Sequence, residues 1–169
     1  LEGGGRPGRC SCAPCNLGFA ELMHKAGCGL RGEDRMTSRL DLNRHALVLV
    51  DLQNDFLHPA GAYARGGAVN ADIAALPGRL GPLVELWRNK GGVIISTHFT
   101  LVPGPRGEPI ISPHLLHLRP FLRRGDFLPG SWGHEMVEEL GKADMTIEKI
   151  AYSAFYMTRL EWLLRKTGM

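Results

Sequence analysis

The sequence predicts an α/β fold of three layers, with helices on both faces of a parallel sheet. Three observations carry that expectation. Ala46–Val50 is an unbroken apolar run, as a strand covered on both faces requires, and Val93–Thr97 is a second strand of the same kind. Between them lies a segment whose apolar residues recur at helical period. Strands alternating with helices imply parallel pairing through right-handed crossovers.

Residues 1–35 differ from the rest of the chain. Gly, Arg and Cys dominate, no period of 2 or 3.6 persists, and all four cysteines (Cys10, Cys12, Cys15, Cys28) fall there. We read 1–35 as a disordered or non-native extension and Met36 as the natural start. The alternative is a zinc site built by Cys10, Cys12 and Cys15 with Cys28 or His24. Residues 36–169 then form the N-terminal part of one domain. After the first strand, Ala74–Asn89 reads as a helix, with Leu76, Leu80, Leu83, Val84 and Trp87 on one face. Pro77 and Pro82 move its firm start toward Pro82, and Gly91-Gly92 ends it. Leu101–Gly130 is rich in Pro and Gly, and a loop of that length in a compact domain is usually functional or holds short helices. Ser131–Leu140 reads as a helix with Trp132, Met136, Val137 and Leu140 on one face. Met145–Lys149 is the third strand. Thr158–Thr167 is a helix with a Thr158/Glu161 capping box and Gly168 at its C-cap. A crossover helix calls for a fourth strand, so the chain reads as truncated at Met169.

Composition narrows the function. The net charge of +3 is small and the basic residues are scattered, which argues against a nucleic-acid surface. No apolar run approaches the ~18 residues of a membrane span. No signal peptide is visible, and a cytoplasmic location is the default expectation.

Chemistry concentrates at two strand ends. Asp51 closes the first strand and opens the polar cluster Gln53, Asn54 and Asp55; Lys149 closes the third. A strand-end Asp most often caps a turn, and a lone Lys is most often solvated. In a parallel sheet, however, both emerge at the C-terminal edge, where α/β folds bind ligands. There an Asp/Lys pair would poise the carboxylate to take a proton from a nucleophile.

Three segments in this order carry a family resemblance: Val-Asp51-Leu-Gln-Asn-Asp-Phe56, Arg123-Arg-Gly-Asp-Phe-Leu-Pro-Gly-Ser-Trp-Gly133, and Lys149-Ile-Ala-Tyr-Ser-Ala-Phe155 followed by Thr158-Arg-Leu-Glu161. From about Met36 to Met169 the chain resembles the isochorismatase-like cysteine hydrolases, nearest to their amidase branch. The resemblance implies a triad in which Asp51 activates a cysteine and Lys149 orients the Asp. The cysteine attacks an amide carbonyl, of carbamoyl or ureido type, to give a thioester that water hydrolyses. The cysteine follows the next strand, beside the first, and is absent from this chain. The resemblance also implies a small-molecule amide as partner, no cofactor, and a homo-oligomer for the full-length parent.

Members of the nicotinamidase branch hold a metal with an Asp-x-His motif after the second strand. Here the place reads Thr97-His98-Phe99-Thr100, so no metal is expected. His98 is read as a pocket-edge or core residue, with substrate contact as the alternative. His114 and His117 are read as surface residues rather than a metal pair. Phe56, Gln53, His98, Trp132 and Phe155 are the candidate substrate-binding residues, although each aromatic could equally be core. The rival reading is a catalytically inactive fragment or binding module of the same fold. If the absent strand pairs with Ala46–Val50, that strand is left as an exposed edge prone to association.

Overall fold

The computed structural model describes residues 40–169. The readings of 1–35, as an extension or as a zinc site, lie outside the described residues. The sheet contains β1 (Ala46–Val50), β2 (Val93–Phe99) and β3 (Met145–Lys149) in the order β1-β2-β3. All pairing is parallel, with Ala46 opposite Val93, Val50 opposite Thr97, Ile95 opposite Met145 and Phe99 opposite Lys149. Parallel pairing delivers the C-terminal ends of the three strands to one edge. β2 runs two residues past its expected end because His98 and Phe99 pair with Glu148 and Lys149.

Helices cover both faces. Short helices α1 (Asn54–Leu57), α2 (Ala62–Arg65) and α3 (Ala71–Ala74) precede the long α4 (Leu76–Asn89). Most of the apolar stripe of α4 behaves as its period requires: Val84 is buried, and Leu76, Leu80 and Trp87 pack with it against Leu47, Leu49 and Ile94, but Leu83, expected on the same face, is 45% exposed and outside this cluster. Trp87 Nε1 also donates to the Val93 carbonyl at 2.9 Å. On the other face, Ile95 and Ile147 meet Leu160, Leu163 and Leu164 of a C-terminal helix. That helix is α6 (Leu160–Thr167); α5 (Pro113–Leu118) lies within the long Pro- and Gly-rich segment. The result is the three-layer α/β/α arrangement.

Several local expectations are corrected. α4 does not wait for Pro82 but starts at Leu76, with Pro77 in its first turn and Pro82 inside it. Inside a helix a proline lacks an N–H, crowds the carbonyl four residues back and restricts the residue before it. That preceding residue is Gly81, which has no β-carbon to clash.

Ser131–Leu140 is not a helix. It forms two 3-10 turns, Trp132–His134 and Glu138–Leu140, with an extended stretch between them. Its backbone groups are taken by the post-β1 segment: Asn54 N–H donates to Glu135 O and Leu52 O accepts from Val137 N–H, both at 2.9 Å. The apolar spacing had a different origin, since Met136, Val137 and Leu140 join the core under α4 while Trp132 is half exposed.

α6 begins two residues late, and its capping box is not reciprocal. Thr158 Oγ1 accepts from Leu160 N–H at 3.2 Å, but Glu161 turns forward to pair with Arg165 at 2.8 Å. Gly168 does adopt the left-handed cap, with φ of 78°.

β1 is less buried than its composition predicts. β2 is central and buried from Ile94 to His98, but in β1 only Leu49 is buried and Val50 is 51% exposed. The reason is topological: among the described residues β1 has a strand on one side only. No described helix is long and apolar enough to cross a membrane.

Candidate active site

Asp51 and Lys149 meet at the C-terminal edge of the sheet. Lys149 Nζ lies 2.7 Å from Asp51 Oδ2. Each strand sets one partner. Asp51 continues β1, its N–H donating to Thr97 O at 2.9 Å. Lys149 is the last residue of β3, opposite Phe99. Central β2 lies between them and braces both: Thr97 Oγ1 donates to Asp51 Oδ1 at 3.2 Å, and the Phe99 ring lies 5.7 Å from the ammonium.

The ammonium also donates to the Ala151 and Tyr152 carbonyls at 3.1 and 3.4 Å. Its three hydrogens therefore have three acceptors, so a side chain only 3% exposed leaves no donor unpaired. Asp51 remains 23% exposed, open to the cleft. Its backbone is left-handed, with φ of 59°. This conformation is uncommon for residues other than glycine and concentrates at functional sites.

The pair opens into a cleft of about 270 Å³. One wall is aromatic, made by Phe56, Tyr63 and Phe99. A second comes from α5 and the residue after it, with Leu115, Leu118 and Arg119. Ile150, Ala151 and Tyr152 form a third. The aromatic wall is rigid because it is the top of a core. The Phe56 ring is 4.6 Å from that of Tyr63 and 4.5 Å from that of Phe127, and Phe127 is fully buried.

Asp55 anchors this core. Its two oxygens accept from Ala62 N–H at 3.0 Å and Phe127 N–H at 2.7 Å. Phe127 holds a φ of 50°, an outlier for an aromatic residue, and its amide is the group that Asp55 fixes. Gly133 packs against the same carboxylate, so closely that a β-carbon there would overlap it. The polar cluster after β1 thus divides: Asp51 faces the cleft, while Asp55 faces inward.

Of the five residues expected to bind substrate, Phe56 lines this cleft and the other four lie elsewhere. Gln53 is fully buried. Its amide nitrogen donates to Phe99 O and His134 O, each at 3.0 Å, and its oxygen accepts from Phe99 N–H at 2.7 Å. It ties the chain after β1 to β2. Phe155 is 55% exposed and outside the cleft. His98 and Trp132 line a separate, wider cleft of about 910 Å³ against the α4-side face of the sheet. Side chains alternate along β2, so His98 and Ser96 point to the face opposite Thr97 and Phe99.

His98 is bound to Ser96 Oγ at 2.9 Å and packs against the ring of His134 at 5.1 Å. Burial, and then the neighbouring His134, lower its pKa from 6.5 to about 4. Burial also lowers His134, partly offset by Glu148, Asp55 and Glu135. His114 and His117 are exposed, and no described group of three or more His, Cys, Asp or Glu side chains is arranged to hold a metal.

The sequence did not single out Tyr63, Phe99, Leu115, Leu118 or Arg119 as cleft residues. One signal was available: the long Pro- and Gly-rich segment, flagged as functional by its length, supplies α5 and Arg119.

Comparison with known proteins bears on the same region. Residues 45–169 match a family model described as an isochorismatase domain. A cysteine hydrolase from Pseudomonas syringae pv. phaseolicola 1448A is 21% identical, over 77% of this chain and 57% of its own, with a TM-score of 0.60. N-carbamoylsarcosine amidase from Thermoplasma acidophilum is 25% identical, over 73% of this chain and 62% of its own, with a TM-score of 0.54. An isochorismatase family protein from Desulfovibrio vulgaris subsp. vulgaris str. Hildenborough is 23% identical, over 73% and 62%, also at 0.54. The chain thus spans 57–62% of the length of these relatives.

Proposed function

The chain belongs to the isochorismatase family, and from that premise we propose that its cleft serves hydrolysis of a linear C–N bond in a small amide of carbamoyl or ureido type. The observation that carries the reading is the 2.7 Å ion pair of Asp51 and Lys149 in an open, partly aromatic cleft. Asp51 is the base for an attacking thiol: its Oδ2 is fixed by the lysine, its Oδ1 by Thr97, and it keeps an open face. Lys149 orients that carboxylate and steadies negative charge developing at the carbonyl. The likeness to N-carbamoylsarcosine amidase supports the choice of bond.

The four cysteines precede residue 29 and lie outside the family match at 45–169. This observation favours a second reading, in which the 169-residue chain is a catalytically inactive module that binds small amides. The test measures ammonia release from small carbamoyl and ureido amides. The 169-residue chain is expected to show none. In any form of the protein that does release ammonia, D51A and K149A are each expected to lower kcat by about 10²–10⁴-fold. Asp51-dependent turnover by the 169-residue chain itself would mean that the proposed thiol step is wrong, and activity indifferent to both substitutions would remove the pair from the mechanism.

A further inference from the structure

We propose that the wide cleft on the α4-side face of the sheet is a second ligand site, and that it takes a small polyamine cation. The site lies on the face of β2 opposite the Asp51–Lys149 cleft and is independent of the function proposed above. Its floor is the first argument. The covered faces of a parallel sheet are ordinarily lined by Val, Ile and Leu. On this face β2 begins that way, with Ile94 in the core under α4. It then presents Ser96 and His98, and β3 places Thr146 beside Ser96. Two nearly buried side chains also leave a polar atom facing this cleft. Asn54 and His98 are each more than nine-tenths buried. Asn54 Nδ2 donates to Trp132 O at 2.8 Å, which fixes the amide and leaves Oδ1 without a donor among the described residues. His98 is bonded through Nε2 to Ser96 Oγ at 2.9 Å, and its Nδ1 has no described partner. Every described side-chain nitrogen or oxygen shut off from solvent has a partner. Both atoms are therefore open, and both residues line the cleft.

The second argument is charge. The fixed charges on the lining are Glu135, Glu138, Glu139 and Lys142, three carboxylates and one ammonium, for a net of −2. None of the four forms an ion pair with a described residue. The chain as a whole carries +3, so the cleft opposes the molecule's own sign. His98 does not offset it at neutral pH, because burial holds its pKa near 4. An acidic rim alone would collect any cation; the floor and wall select among them. Asn54 Oδ1 calls for a ligand with N–H bonds to give. The half-exposed Trp132 indole, edge-on to His58 at 4.8 Å, favours a cation with methylene groups to lay against it. A bare metal ion matches neither, and no described group of three or more His, Cys, Asp or Glu is placed to hold one. Ammonium groups are donors only, and a polyamine joins them by methylene spacers. A cleft of about 910 Å³ is at the large end of small-molecule sites, with room for such a chain.

The test is calorimetric titration of the 169-residue protein in low salt with spermidine, with triethylene glycol as an uncharged chain of similar length, and with magnesium chloride as a bare cation. Spermidine is expected to bind about tenfold or more tightly than either. The double variant E138Q/E139Q, altered at two exposed rim positions, should weaken spermidine by about fivefold or more. The double variant E85Q/E161Q removes the same charge outside the cleft and should leave binding within about twofold. Thermal melts confirm that each variant is folded. In heteronuclear NMR spectra the side-chain amide of Asn54 should shift on adding spermidine. Absence of spermidine binding overturns the proposal, as does equal binding of magnesium, which would report a diffuse ion atmosphere. Equal losses in the two double variants, or an Asn54 amide that stays still at saturating spermidine, overturn it too. Loss of binding in D51N would place the amine in the Asp51–Lys149 cleft and would equally overturn it.

Discussion

Removing the Asp51 carboxylate leaves Lys149 buried without its counter-charge, and the cost can be worked from the structure. Breaking a buried ion pair by deleting one partner costs about 3–5 kcal/mol. Two features lower that figure here: Asp51 is 23% exposed, and the ammonium keeps the Ala151 and Tyr152 carbonyls. About 2–3 kcal/mol remains. The Thr97 hydroxyl loses an acceptor, which adds about 0.5–1 kcal/mol. Alanine at a φ of 59° adds about 1 kcal/mol over a residue that tolerates the left-handed region. Asp51→Ala is therefore expected to destabilise by about 3.5–5 kcal/mol, and Asp51→Gly by about 1 kcal/mol less. Urea unfolding at constant m-value measures each variant. In the cycle with Lys149→Met, the double variant should cost less than the sum of the singles by at least about 1.5 kcal/mol, because the lysine no longer has a charge to strand. A coupling energy within about 0.5 kcal/mol of zero would refute the reasoning, since two independent sites give that result.

Three further outcomes are expected. Asp55→Ala orphans the buried amides of Ala62 and Phe127 and should cost about 2–5 kcal/mol by the same urea assay; a change below about 0.5 kcal/mol would show that water replaces the carboxylate. The pKa of His98 is depressed from 6.5 to about 4, so protonation favours the unfolded chain. Stability should hold above pH 6.5 and fall as pH drops toward 4, by up to about 3 kcal/mol from His98; His98→Gln should flatten that slope, and an unchanged slope would acquit His98. The outer edge of β1 has no partner among the described residues and carries the exposed Val50, so the 169-residue chain should self-associate with concentration in sedimentation, and Val50→Lys should reduce the effect.

The legibility of the sequence divides between local and non-local causes. The three strands and α4 declared themselves because burial fixes residue type along a contiguous segment: an apolar run for β2, an apolar stripe for Leu76, Leu80, Val84 and Trp87. The meeting of Asp51 and Lys149 was legible because parallel pairing leaves strand ends no other edge. The region 131–140 failed for the converse reason. Met136, Val137 and Leu140 are spaced like a helical face, yet the hydrogen bonds that decide the backbone come from Leu52 and Asn54, far away in the chain. The fate of His98 also turned on something the residue itself does not carry. It sits one residue from Thr97 and one from Phe99, and the side-chain alternation of β2 sends it to the other face, away from the cleft that both neighbours serve.

The segment after β1 shows why a cluster of polar residues can build a site and a core at once. Asp51, Gln53 and Asp55 are three consecutive odd positions, and no rule of composition separates them. The left-handed turn at Asp51 does so. It ends the strand geometry that would have carried them along one face, leaving Asp51 at the cleft with Lys149 and sending Gln53 and Asp55 inward. There Gln53 binds both backbone groups of Phe99, the residue whose ring faces the Lys149 ammonium. Asp55 fixes Phe127, on which Phe56 packs. Two of the three polar residues thus hold the aromatic wall against which the third works. It follows that substitutions at Gln53 or Asp55 should disturb ligand binding only through the position of Phe99 and Phe56, whereas under the proposed function Asp51 acts on the ligand directly. Ring resonances of Phe56 and Phe99 that stay unshifted in a folded Gln53→Ala variant would contradict that division.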